Sequence, residues 1–269
     1  MRLKIEHETH YRFEHSANHS IQYLRLTPRN DPCQRVIDWQ LSVLGSVTPW
    51  YDGFDNLNHT SVQDVPHDEI IVHVQGEVET LDTTGILPTD DGLPPLIFLR
   101  ETDYTRVTDR IAELANGYRE QMKDENTLAV MHGLMAGIGS AVSYREGVTD
   151  VESDADHALG QGFGVCQDHA HLFIACARVL GVPARYVSGY LLAGADNDSH
   201  LASHAWAEAY VGDIGWVSFD PANQQSATDG YVRLAIAFDY EGASPIRGVR
   251  DGGGIEDLDV RVTVGQGQE

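Results

Sequence analysis

Gly162-Phe163-Gly164-Val165-Cys166-Gln167-Asp168-His169-Ala170-His171 passes from a glycine-punctuated bend into a run that reads as helix to Leu180. Gly181 and Pro183 supply its stop signal. The two glycines ahead of Cys166 let the backbone turn sharply and set the thiol at the helix N-terminus, where free N–H groups and the helix dipole favour thiolate. A buried packing thiol is the competing reading of such a cysteine. Asp168 reads as a complement to the helix N-terminus, its charge turned away from the thiol toward a backbone amide or Arg185.

Downstream the period changes to two. Strands are expected at Ala184 to Tyr190, Ala205 to Val211 and Trp216 to Phe219. In Ser203-His204-Ala205-Trp206-Ala207-Glu208-Ala209-Tyr210, the three alanines share one face and suit close approach of a helix, while His204, Trp206, Glu208 and Tyr210 share the other. Asp220 ends Gly215-Trp216-Val217-Ser218-Phe219-Asp220-Pro221, a position from which a carboxylate could hold an imidazole in its working tautomer or simply start a turn. A three-residue turn on Val211-Gly212-Asp213 sets His204 opposite Asp220, whereas a turn centred on Asp213-Ile214 separates them by roughly 10 Å. Joining the two residues therefore demands the three-residue turn or a bulge.

Upstream of the cysteine, Val107, Ile111, Leu114, Ala115 and Tyr118 share one helical face, as do Leu128, Met131, Leu134, Met135 and Ile138. The first hundred residues read as β instead, with strands expected at Leu3 to Phe13, Ile21 to Thr27, Val36 to Val43 and Glu69 to Thr80. Turn chemistry at 27–32, 52–56 and 64–66 separates them. The Gly/Pro/Asp-rich stretch from Thr83 to Pro95 marks a linker. The implied organisation is a β-rich domain over 1–95, a core over 96–245, and a C-terminal strand or tail over 246–269.

The chain has 269 residues, 41 acidic against 18 Lys and Arg, hence a formal charge of −23. That field excludes nucleic acid as a partner, since the few basic residues are scattered singly. A composition 42% hydrophobic and 22% charged is that of an ordinary globular protein. Apolar stretches stop well short of the roughly 20 residues of a membrane helix, and the first residues are alternating and charged, so neither a span nor a signal peptide is expected. Three cysteines are too few for a disulfide framework, which favours reduced thiols and a cytoplasmic location.

Cysteine after a glycine-rich bend, histidine on a strand and aspartate at the end of the next strand form, in that order, the nucleophile, base and orienter of covalent acyl transfer. Here the sequence resembles the bacterial transglutaminase-like proteins of the papain-like superfamily. The resemblance rests on Gly164 to His171, Gly181-Val182-Pro183-Ala184-Arg185-Tyr186-Val187-Ser188-Gly189-Tyr190, Ser203 to Trp206 and Gly215 to Pro221. Leu24-Arg25-Leu26-Thr27-Pro28-Arg29 and His7 to Tyr11 extend it into the β-rich region that accompanies this core in many bacterial members.

The resemblance implies an α+β fold, with the cysteine-bearing helix packed on an antiparallel sheet and preceded by an all-β domain. It implies Cys166 as nucleophile, His204 as base and later acid, and Asp220 as the group orienting His204. The Cys166 N–H would help bind the oxyanion. Gln161, one residue short of the papain-like spacing, and Tyr144, a recurrent aromatic near the site, are candidates for the second contact. Trp206 is a candidate for shielding the ion pair or for packing the sheet, and so is Trp216.

No metal or cofactor is expected. His169 and His171 diverge by about 200° on a helix, and His200 precedes a strand, so neither pair reads as a chelate. The implied activity is a cysteine peptidase or amidase acting through a thioester on a peptide or protein bearing an amide or glutamine group, with basic or neutral substrates preferred by the negative field. Protein cross-linking by glutamyl transfer, or a binding module that keeps the triad without using it, are the alternatives. Acyl transfer from a thioester cofactor is disfavoured because Cys166 lacks an arginine-rich context.

Overall fold

The computed structural model describes residues 1–87, 92–124, 126–145, 147, 153–192 and 203–267. The loop Gly194 to Ser199 and His200 lie outside them.

Five strands come first: β1 (Arg2–Leu24), β2 (Gln34–Val43), β3 (Ser46–Tyr51), β4 (Leu57–Gln63) and β5 (His67–Thr80). The two strands expected at Leu3 to Phe13 and Ile21 to Thr27 are one, because β1 crosses a register shift between Arg12 and Ala17 rather than a turn. β3 escapes the sequence reading because it is exposed throughout and carries Pro49, the signature of an edge strand that buries no face. β6 (Ile86–Leu87) lies in the stretch read as a linker yet pairs with a strand of the second sheet.

The helical stretch holds α1 (Asp109–Asn116), α2 (Gln121–Asp124) and α3 (Thr127–Ala141), then β7 (Ser143–Tyr144), α4 (Ala155–Gln161), β8 (Phe163–Gly164) and α5 (Cys166–Val179). β9 (Ala184–Leu191), β10 (Ser203–Val211), β11 (Gly215–Phe219), β12 (Tyr231–Ala237) and α6 (Tyr240–Ala243) follow. β13 (Ile246–Gly252) and β14 (Glu256–Gln266) complete the chain. Among the described residues no helix is long and apolar enough to cross a membrane.

Two antiparallel sheets result. The second runs β12-β9-β10-β11-β6, and its alanine face, Ala205, Ala207 and Ala209, shares a core with Ala170, Phe173 and Ala177 of α5 and with Met131, Leu134 and Ile138 of α3. Small residues on the strand let the helix approach closely, which fixes where its first residue lies.

The first sheet is centred on β1. β5 and β14 flank its first half, β4 and β13 its second, so the C-terminal stretch is no free tail but completes the sheet begun by the N-terminus. The two sheets share a core in which Leu3, Ile5, Val72 and Val74 meet Tyr190, Val232 and Leu234. Side-chain amides stitch the same seam. Gln34 and Arg233 exchange two hydrogen bonds of 2.8 Å each between the Gln34 amide and the Arg233 main chain. The Asn56 amide does the same with Ile236, at 2.8 and 2.9 Å. β12 is an edge strand, and these two amides replace the neighbour it lacks.

Candidate active site

α4 ends where Gly162 adopts a left-handed conformation, φ 73°, and β8 then runs parallel to β7, bringing Tyr144 level with Gly164. A Cβ on Gly164 would lie 2.7 Å from the Asp168 carboxylate, so glycine is what admits that side chain beneath the bend. Asp168 is fully buried and accepts a 2.8 Å hydrogen bond from the Val165 N–H, capping α5. The backbone amide is one of the two partners expected for it; Arg185 pairs with Glu208 at 2.7 Å. Cys166 is therefore the first residue of α5, and its N–H has no intrahelical acceptor.

His204 is the second residue of β10, and Asp220 follows β11 directly. Three residues, Gly212 to Ile214, join these strands, but Val211 pairs with Gly215 and Ala207 with Phe219. The turn thus sits one residue later than the register expected from the sequence. Continuing that register sets Asp220 opposite Trp206, leaving His204 as its diagonal neighbour on the same face, within reach of long side chains. His204 Nε2 lies 2.7 Å from Asp220 Oδ2. Nε2 is thus committed to the carboxylate. The ring lines the same cleft as Cys166, close enough for the charge of the thiol to help lift the imidazole.

Asp220 is saturated. Its Oδ2 also accepts from Asn223 Nδ2 and the Tyr231 hydroxyl, each at 2.7 Å, and its Oδ1 from the main-chain N–H groups of Ala222 and Asn223 at 3.1 Å. Burial would raise this carboxyl, but the hydrogen bond and charge of His204, with Asn223 and Tyr231, hold it below its ordinary range. Burial likewise pulls His204 down, yet Asp220 and Cys166 on its two sides lift it to about 10. The His204 side chain is 8% exposed and that of Asp220 is fully buried, so solvent screens the pair little.

Of the remaining candidates, Tyr144 reaches the cleft above Cys166. Trp206 does not line that cleft: it lies behind, stacked on His204 with ring centres 6.1 Å apart, and Gly189 makes room for it, since a Cβ there would fall 2.6 Å from its ring. Trp216 packs elsewhere, against Phe98 and Tyr210. Gln161 closes α4 as an exposed residue, where the left-handed turn at Gly162 separates it from the bend that delivers Cys166. Gln167, which the sequence reading passed over, lines the cleft instead.

The two helical histidines diverge. His169 spans the carbonyls of Val165 and Val142, 2.8 and 2.9 Å away, tying α5 to the strap that carries Tyr144. His171 accepts from the Tyr240 N–H between the rings of Tyr104 and Tyr186. Among the described residues no cluster of His, Cys, Asp or Glu could hold a metal ion. Cys176 is buried in the helical core, and Cys33 is half-buried beside Asp31.

Tyr231, Asn223 and Gln225 were not singled out in the sequence. Asn223 carried a local signal, since aspartate before proline starts turns of this kind. Tyr231 carried none.

Two family descriptions match this sequence: the transglutaminase-like superfamily core over residues 113–221 and the bacterial transglutaminase-like N-terminal region over residues 3–79. A Mycobacterium leprae protein of uncharacterised function is 32% identical over 283 residues, covering 98% of each chain. A Mycobacterium bovis protein, also uncharacterised, is 29% identical over 275 residues, 92% of this chain and 87% of its own. Among solved structures, a candidate cysteine protease from Cytophaga hutchinsonii superimposes with a TM-score of 0.79 at 22% identity, covering 98% of this chain and 90% of that one. Shared fold, end-to-end similarity and the two matched regions agree: the chain belongs to the transglutaminase-like superfamily.

Proposed function

We propose that this protein is a cysteine-dependent amide hydrolase in which Cys166, His204 and Asp220 act in that order. One observation carries the reading: His204 pairs with Asp220 at 2.7 Å and lines one cleft with Cys166, at the joint between a helix N-terminus and two strand ends.

An imidazole that keeps its proton to about pH 10 beside a sulfur is paired with it as a cation. Sγ attacks the amide carbonyl carbon, and the oxyanion forms next to the Cys166 N–H, which has no intrahelical acceptor. As the sulfur becomes bonded to carbon its negative charge disappears, and with it part of what held the proton on His204. The proton passes to the departing nitrogen as the C–N bond breaks, leaving a thioester. Neutral His204 then takes a proton from water, the hydroxide oxygen attacks the thioester, and the carboxylic acid leaves as sulfur regains its electron pair. Asp220 holds the ring in place throughout and takes no proton.

The test is the rate of Cys166 alkylation by iodoacetamide against pH, followed by peptide mass mapping. Wild type is expected to react at a rate already level by pH 7, roughly tenfold or more above His204→Ala at pH 6. Simple titration near pH ~8.5 in both proteins overturns the reading. In parallel, release of amine or ammonia from neutral peptide amides should vanish in Cys166→Ala.

A further inference from the structure

Cys166 and His204 form the floor of a cleft of about 460 Å³, within the ~300–1,000 Å³ typical of ligand pockets. One wall belongs to the catalytic half, where Tyr186 and Tyr240 face the opening. The opposite wall comes from the first sheet. Thr9 and Tyr11 of β1 pair directly with Val260 and Leu258 of β14, so the four side chains stand together as one patch facing the nucleophile.

Leu258 and Val260 are 51% and 45% exposed. Single exposed apolar residues are ordinary, but here they continue an apolar lining into the cleft that holds the thiol. In a chain that is 22% charged with net charge −23, no Lys, Arg, Asp or Glu lines this cleft among the described residues. His7, also on the wall, is held neutral: burial brings it down to about 4, and its ring is engaged by Tyr190 and Thr9. A carboxylate or ammonium seated against Thr9, Tyr11, Leu258 and Val260 would lose water and meet no opposite charge on that wall.

Resting on the amide-hydrolase reading, we infer that the site takes acyl groups bearing an uncharged apolar side chain, aliphatic or aromatic, and that the β1–β14 wall selects them. The acyl group is the part so selected because it stays bonded to Sγ through both half-reactions and must be housed beside it, whereas the amine departs after the first.

The experiment compares peptidyl chloromethyl ketones that differ only in the side chain next to the electrophile, Phe, Leu or Asp, by their rates of Cys166 alkylation. Iodoacetamide serves as the measure of the thiol itself. The Phe and Leu reagents are expected to react at least tenfold faster than the Asp reagent. In Val260→Lys and in Leu258→Lys, at positions 45% and 51% exposed, that ratio should fall several-fold once each rate is divided by the same variant's iodoacetamide rate. Equal rates across the three reagents in wild type, or a ratio untouched by both variants, overturn the inference. Because these reagents alkylate any thiol at pH 9, the comparison holds even if the pH profile removes the hydrolase reading, and the two failures are read separately.

Discussion

At the scale of single residues, Asp220 is the pivot, and Tyr231 is the contact that local sequence could not supply. Its hydroxyl donates to Asp220 Oδ2 and accepts from Gln225 Nε2, so it steadies the carboxylate without touching the thiol. Tyr231→Phe removes one donor to a buried charge. The carboxyl should then protonate at higher pH and His204 should lose its proton at lower pH. We expect the acid limb of the Cys166 alkylation profile to move up by about one pH unit, an ionised hydrogen bond being worth roughly 1.5–3 kcal/mol and shared here among five donors. A drop in rate at all pH values with an unmoved acid limb would mean that Tyr231 serves only packing. Asp220→Asn should be far more severe, about 10³-fold or more in turnover, because the amide can hold the ring but cannot stabilise its charge.

At the scale of elements, the edge of β12 is closed by side chains rather than by a strand. Asn56→Leu leaves the Ile236 N–H and C=O unpaired in a buried seam, and two such groups should cost about 2–4 kcal/mol by urea denaturation. A change below ~0.5 kcal/mol would mean that water replaces the amide. The same contrast between local and distant causes decides what could be read in advance. α5 was legible because Gly162, Gly164, Gly181 and Pro183 punctuate it, and the faces of β10 were legible because alanine alternates with larger residues. The β10–β11 turn had the expected length, but its register slipped by two because Gly212 to Ile214 form the turn and Val211 closes on Gly215. β13 and β14 could not be placed, since nothing local in 246–266 says that it pairs with residues 3–24, and the apolar wall of the cleft depends on that pairing.

At the scale of the whole molecule, buried histidines tie folding stability to pH from both sides. His7 and His171 are buried and brought down by burial to about 4 and about 3, so the folded protein keeps them neutral while the unfolded chain protonates them near pH ~6.5. Above that pH neither affects stability. Below it the unfolded state binds the extra protons, and stability falls by up to ~1.4 kcal/mol per pH unit for each ring until the folded values are reached. His204 works in the opposite sense. Its folded value of about 10 lies above the unfolded one, so its contribution is complete below pH ~6.5 and drains away as pH rises toward 10. Together they predict a stability maximum near pH 6.5, read as urea midpoints between pH 4.5 and 9.5. Cys166→Ala removes part of what raises His204 and should flatten the alkaline slope while leaving the acid slope intact. A Cys166→Ala protein whose two slopes both match wild type would mean that the thiol and the imidazole do not share a proton, which would separate the catalytic geometry from the stability it is expected to carry.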